Sequence, residues 1–340
     1  MSQLRLSIPP IGAGRFQLID ELKGFAILLV ALYHAGGVVA WENKLHGEIG
    51  VDIFVILSGL GLALSSRVGS FAQYFGRRFV RIYPIYWLTL IGFLWGNAYF
   101  LGEHTTRNDI IFHFIGIHAF VSDGDSVSIN DSFWFISLIV FVYIVYWLMR
   151  PIWNRPDWIL GLGSLVSLGV ALWFMYTGHP LMFGHLATRL PAFFLGIVIG
   201  QLLKQGTLEL PFSIIGTLGV FLLFYVGYLN SVIFYSLFLA LFFMAVYAFA
   251  FKPALPGLVG NWVGAAFAFL GRYSMEIYLI HQPLIRHYNI HFQMVWFKST
   301  PLTVPRMIIG MIITFCFVVL PISFALGKLQ KLIFSPRKVS

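Results

Sequence analysis

Ten apolar runs, each near the ~20 residues a helix needs to cross a bilayer, divide the chain at 18–40, 50–66, 81–101, 132–150, 158–176, 181–203, 211–229, 231–250, 265–285 and 303–327. Polar residues gather in the short blocks between them. The pattern predicts an all-α fold, a polytopic transmembrane helical bundle of about ten spans, as one domain over residues 1–340. Composition agrees: 59% of residues are hydrophobic and 10% charged, against roughly 25% charged in soluble domains. A net charge of +9 would suggest nucleic acid in a soluble protein. Here the basic residues sort by loop. With both termini cytoplasmic, the inner segments hold Arg77, Arg78, Arg81, Arg150, Arg155, Lys204, Lys252, Arg272, Lys328 and Lys331 among others, and the outer ones only Lys44, Arg107, Arg286, Lys298 and Arg306. That asymmetry sets the orientation and makes the lipid bilayer, not nucleic acid, the expected partner. The single cysteine, Cys316, excludes an internal disulfide framework and a cysteine-rich metal site. Val38-Val39-Ala40 imitates a signal-peptidase site, but the preceding run is too long and carries Asp20 and Lys23, so the first span is expected to be retained.

The first span is the chemically unusual one. RFQLIDELKGFAILLVALYH, Arg15 to His34, puts Asp20, Lys23 and His34 within roughly 60° of one another around a helix. Lys23 and His34 stand roughly 16 Å apart along it. Charges inside a span face the protein interior or a wet cavity and mark function. The second span opens with GVDIFVILSG, placing Asp52 near the outer surface and Ser58 roughly 12 Å deep, so a hairpin is expected to bring Asp52 and Ser58 to the level of His34. That trio suits a histidine base oriented by an acid or hydroxyl; the plainer reading is a buried histidine bonded to a carbonyl. Gly59, Ala63, Gly196 and Gly200 are expected to let helices pack closely.

In FGRRFVRIYPIYW, Arg78 and Arg81 share a helical face and can grip a phosphate or pyrophosphate. The alternative is basic anchoring with Tyr83, Tyr86 and Trp87 as interfacial aromatics. Arg189, one turn after His185 and just before Pro191, needs a ligand or an acid such as Asp52 or Glu276. Glu276 and Tyr278 lie within the ninth span and His281 near its outer end. His287 and His291 are one turn apart, yet no acid or cysteine is close in sequence, so no metal is expected.

Taken together, these stretches resemble acyltransferase family 3, the integral membrane acyltransferases. Arg15, Asp20, Lys23-Gly24 and His34 are similar to the family's first-helix signature, in which arginine more often stands at Lys23. GVDIFVILSG, RRFVRIYPIYW, SFWFISLIVFVY (containing Trp134) and LGRYSMEIYLIHQPL follow in the family's order. The resemblance implies transfer of an acyl group, typically acetyl, from cytoplasmic acyl-CoA to a hydroxyl of an extracytoplasmic or lipid-linked glycan, in a bacterial inner membrane. It implies that His34 is the essential histidine, acting as base or nucleophile, to which the hairpin reading adds Asp52 and Ser58. Arg78 and Arg81, with Arg15 and Lys23, would hold the CoA head, and Arg189, Glu276, Tyr278, His281 and Trp134 would serve the acceptor. Many members carry a glutamate where Ile139 and Val140 stand, so no acid is carried over there. An extracytoplasmic partner protein would complete any transfer outside. The competing class is a transporter or flippase of a polysaccharide or lipid-linked precursor, since intramembrane charges and broken helices also serve substrate pathways.

Overall fold

The computed structural model describes residues 6–7, 13–38, 47–65, 69–103, 105–121, 129–153, 155, 158–159, 161–163, 165–166, 169, 176, 189–205, 207–208, 231–288 and 304–334. Its main helices are α1 (Ala13–Val38), α2 (Glu48–Leu64), α3 (Phe71–Gly96), α4 (Arg107–Ile115), α5 (His118–Val121), α6 (Trp134–Leu148), α7 (Leu190–Gln205), α8 (Ser231–Ala245), α9 (Gly257–Arg272), α10 (Ser274–Gln282), α11 (Val304–Thr314) and α12 (Leu320–Phe334). Wider π turns extend α3 through Asn97–Leu101 and α10 through Pro283–Tyr288, and join α11 to α12 at Phe315–Val319. Among the described residues the one departure from helix and loop is a short antiparallel pairing of Leu6 with Leu208 and Ser7 with Thr207. The fold is all-α. Among the described residues four stretches are long and apolar enough to cross a membrane: Phe71–Leu101, Asp131–Leu148, Leu237–Ala254 and Pro305–Ile333. The count of ten spans is not established, because α2 and α7 are shorter apolar helices and the runs at 158–176 and 211–229 lie mostly or wholly outside the described residues.

Small residues set how the helices meet. A Cβ added at Gly196 would strike the Ile56 carbonyl, one at Gly59 the Phe193 carbonyl, and one at Gly200 the Ala63 side chain. The glycines expected to permit close packing therefore do so, seating α2 against α7. Gly24 and Gly271 do the same where α1 crosses α9, facing the Phe267 and Asp20 carbonyls. These contacts also fix direction. Gly47, at the start of α2, lies against Tyr33, and Gly50 against Ala26 and Val30, so α1 and α2 run antiparallel.

Helix α3 begins on a reciprocal cap: Ser70 Oγ accepts from the Gln73 amide and Gln73 Oε1 accepts from the Ser70 amide, which satisfies two otherwise unpaired N–H groups. Pro84, inside α3, has no N–H to give the Val80 carbonyl and its ring disturbs that turn. Gln330 of α12 uses the opening, donating from Nε2 to the Arg81 carbonyl at 2.6 Å and the Val80 carbonyl at 3.4 Å. Tyr83, Tyr86 and Trp87 have specific partners within the fold. Tyr83 Oη, Tyr86 Oη and Trp87 Nε1 donate to the carbonyls of Ile115, His113 and Phe114. They cap the C-terminal end of α4, which Gly116 closes at φ 82°, a conformation that favours glycine. The segment expected as an outer loop thus folds back against the middle of α3.

Candidate active site

Lys23 on α1, Arg77, Arg78 and Arg81 on α3, Arg272 at the end of α9 and Lys331 on α12 occur near one end of the bundle, called the basic end below. Helix α6 runs toward it: Phe133 packs on Tyr86 and Phe93, whereas Trp147 packs on Phe71 and Tyr74 near the start of α3. Helix α2 runs toward it as well, since the Leu62 carbonyl accepts from Tyr146 Oη. Helix α10 runs away from it, from residues beside Lys23 to His281 beside His34.

The expected base is found in company. The rings of His34 and His281 lie 5.1 Å apart, centroid to centroid, tilted by 55°, and Tyr33 meets His34 edge-on at 5.2 Å. His281 was expected at the outer surface; it is 0% exposed. Its Nδ1 sits 2.8 Å from the Tyr278 carbonyl and 3.1 Å from that of Ile277. Both partners accept, so Nδ1 carries the proton and Nε2 presents a lone pair. Among the described residues Nε2 has no hydrogen-bond partner. A buried, unsatisfied acceptor is costly and is a natural landing place for a hydroxyl. Directly beside it, Asn130 Nδ2 donates to the Leu279 carbonyl at 2.9 Å, Ser132 Oγ donates to Gln282 Oε1, and Gln282 Nε2 donates to Asp131 at 3.2 Å.

Nearer the basic end lies a cavity of roughly 230 Å³. Lys23, Arg81, Arg272 and Lys331 bring four cations to its wall and Glu276 one acid; Ser58, Tyr143, Ser274 and Gln330 add hydroxyls and an amide; Phe54, Phe135, Ile139 and Tyr278 are apolar or aromatic lining. The break between α9 and α10 at Tyr273 (φ −109°, ψ 14°) puts six consecutive residues, Gly271 to Glu276, on the cavity. Lys23 also pairs with Asp20 at 3.6 Å, so these two members of the expected α1 stripe share one face. This arrangement suits a polyanionic head group.

Several expected residues stand elsewhere. Ser58 lines the cavity with Lys23 instead of flanking His34, because α2 runs antiparallel to α1 and carries its later residues to the basic end. Asp52, buried at the start of α2, accepts from Arg189 Nη1 at 2.9 Å, the acid pairing that was the alternative reading of Arg189. The expected pair of Arg78 and Arg81 parts company. Arg81 reaches the cavity, whereas the Arg78 guanidinium lies 3.5 Å from the Tyr74 ring centre and 5.2 Å from that of Tyr143. It also donates to the Tyr74 carbonyl at 2.8 Å, held there by cation–π attraction one turn back on its own helix. Glu276 and Tyr278 do line the cavity; Trp134 does not, and packs half-buried against Phe135. The side chains of Arg15 and His287, and all of His185 and His291, lie outside the described residues. Among the described residues no group of three or more histidines, cysteines or acids converges as a metal site.

Sequence reading missed Arg272, Lys331 and Gln330 as cavity residues, although the charge of Arg272 inside the ninth run and of Lys331 just after the tenth was an available signal. It also missed Glu21. That carboxylate is 0% exposed and accepts from Lys252 Nζ at 2.8 Å, Tyr247 Oη at 3.0 Å and Gln17 Nε2 at 3.0 Å.

A family profile described as an acyltransferase domain matches residues 16–325. A protein of Acidianus two-tailed virus, ORF330, a candidate acetyltransferase by name, is 27% identical over 197 residues, 56% of this chain and 58% of its own length. The chain therefore spans little more than half of that relative. No solved structure matches.

Proposed function

The chain belongs to acyltransferase family 3, and from that premise we propose that it is an acyl-CoA-dependent O-acyltransferase. It moves an acyl group, acetyl in the simplest case, from cytoplasmic acyl-CoA to a hydroxyl of an extracytoplasmic or lipid-linked glycan. The observation that carries this reading is the cavity with Lys23, Arg81, Arg272 and Lys331 on its wall, connected through Tyr278 to the His281–His34 pair by ring distances of 5.6 and 5.1 Å. A charged nucleotide head cannot cross lipid cheaply, so it stays at the four cations while its thin arm carries the thioester inward.

At the histidines the acceptor hydroxyl loses its proton to a ring nitrogen as its oxygen attacks the thioester carbonyl. The C–S bond breaks, the ester C–O bond forms, and the proton passes to the departing CoA thiolate. In the covalent variant a His34 nitrogen takes the acyl group first and hands it to the hydroxyl afterwards. In either route the lone pair of His281 Nε2 receives the acceptor hydroxyl's hydrogen bond.

The test is His34→Ala in native membranes at matched protein levels. Transfer of labelled acetyl from acetyl-CoA to glycan should fall by roughly 10²–10⁴-fold, the span of a lost general base, while acetyl-CoA binding is retained. Near-wild-type transfer removes the assignment. Loss of binding together with transfer makes His34 structural.

A further inference from the structure

Between the cation-lined cavity and the histidine pair stands a layer of three aromatic rings. On α2 the cavity is lined by Ser58 and, one turn further from the basic end, by Phe54. On α6 it is lined by Tyr143, Ile139 and, furthest from the basic end, Phe135. On α10 the order is Ser274, Met275, Glu276 and last Tyr278. Three helices of differing direction each end their contribution to the cavity, on the same side, with an aromatic side chain.

The three rings meet. Phe54 and Phe135 lie 6.0 Å apart at 59°, and Phe135 and Tyr278 lie 4.7 Å apart at 42°. All three residues are buried, Tyr278 to 2%. Beyond Tyr278, three residues along α10, comes His281, and against it His34.

We infer that Phe54, Phe135 and Tyr278 form a partition through which the acyl thioester must pass to reach His34, and that the opening this partition permits sets the length of acyl chain the protein transfers. The inference rests on the proposed transfer. A closed aromatic layer keeps bulk water away from the thioester. It also opposes bulk: extra methylenes forced into a packed wall displace side chains and backbone, a cost that grows with chain length. A two-carbon acyl group needs only a small displacement of the rings, and a six-carbon group needs a large one.

The experiment uses the full chain in sealed vesicles with the basic end accessible. In a Cys316→Ser background, His34→Cys is exposed to a membrane-impermeant, sulfonate-bearing methanethiosulfonate supplied at the basic end. With the rings intact labelling should be slow; adding Phe135→Ala should speed it at least roughly tenfold. In proteins that keep His34, the ratio of hexanoyl-CoA to acetyl-CoA turnover should rise roughly 10- to 200-fold on Phe135→Ala, the discrimination such a contact can hold. Phe54→Leu and Phe135→Leu should shift both readings in the same direction by less, which covers the case of a Phe135→Ala protein that fails to insert. Unchanged labelling and an unchanged ratio in inserted variants overturn the partition. Wild-type vesicles that move no acyl group at all would remove the proposed function, while the labelling rate would still decide whether the rings close the path.

Discussion

Asp52 and Glu21 are buried acids that each meet a basic side chain far away in sequence. Asp52 is 2% exposed and its partner Arg189 8%, and the pair ties the start of α2 to the residue before α7. Removing one member of such a pair leaves an uncompensated charge, at a cost of about 3–5 kcal/mol, whereas replacing both with apolar residues of similar size is often neutral. Asp52→Ala alone should therefore sharply lower the thermal stability of the solubilised protein. Asp52→Leu with Arg189→Met should restore stability and retain acyl transfer. A double variant that is stable but inactive would return Asp52 to the chemistry of His34. Glu21 is held differently. Its three donors come from α1 itself, from the π turn after α8 and from Lys252, and Lys252 is partly exposed, so screening reduces what that ion pair contributes.

The segment carrying α4 and α5, between the α3 and α6 spans, contains a device that responds to acid. His113 and His118 stack at 3.9 Å with their planes 7° apart, and both are buried. Burial holds the His113 imidazole below its ordinary range, against the opposing hydrogen bond to the Asp109 carbonyl. Burial, reinforced by the neighbouring His113, pushes His118 down to about 3. Above pH ~6.5 the closed and opened segments are both neutral, and the pair adds no pH dependence. As pH falls below ~6.5 the opened segment binds protons that the closed one refuses, so closure weakens progressively toward pH 3. Between pH 7.5 and 5 the opening free energy of residues 107–121, read by hydrogen exchange corrected for intrinsic rates, should drop by about 2 kcal/mol for His118, with His113 adding in the same direction. His118→Phe should abolish most of that dependence; an unaltered pH profile would show that the stack does not control opening. Nothing in the linear pattern announced this stack, nor the cap that Tyr83, Tyr86 and Trp87 place on α4. What hydropathy does carry is legible because lipid imposes it on every turn of a span: α1, α2, α3 and α6 fall where the apolar runs lie. So do the small residues between α2 and α7, since close approach permits little else. Partner choice is different. Asp52 meets Arg189 137 positions away and Glu21 meets Tyr247 226 positions away, and any of several charges would have satisfied the same periodicity. Arg81 and Arg78 share a helical face in sequence, yet a tyrosine one turn back claimed only one of them.

For the molecule as a whole, the direction of transfer depends on which side of the membrane the basic end faces. Helices α2 and α7 run in parallel from the Asp52–Arg189 pair to the contact of Gly200 with Ala63, so Lys204 stands at the end of the bundle where α3 begins. Glu103, just beyond the π turn that ends α3 at Leu101, stands at the other. Both residues are exposed. On the proposed orientation, with both termini cytoplasmic, the Lys204 end faces the cytoplasm, where acyl-CoA would meet Arg81, Arg272 and Lys331 directly. In a Cys316→Ser background, Glu103→Cys in intact cells should then react with an impermeant maleimide added outside. Lys204→Cys should react only after the membrane is opened. The reverse pattern would put the four cations on the outside, out of reach of a cytoplasmic nucleotide, and acyl-CoA would cease to be the donor even if His34 proved essential. Equal labelling of both sites in intact cells would mean mixed orientation, and only the fraction with Lys204 protected would be expected to carry acyl groups outward past the aromatic layer to His34.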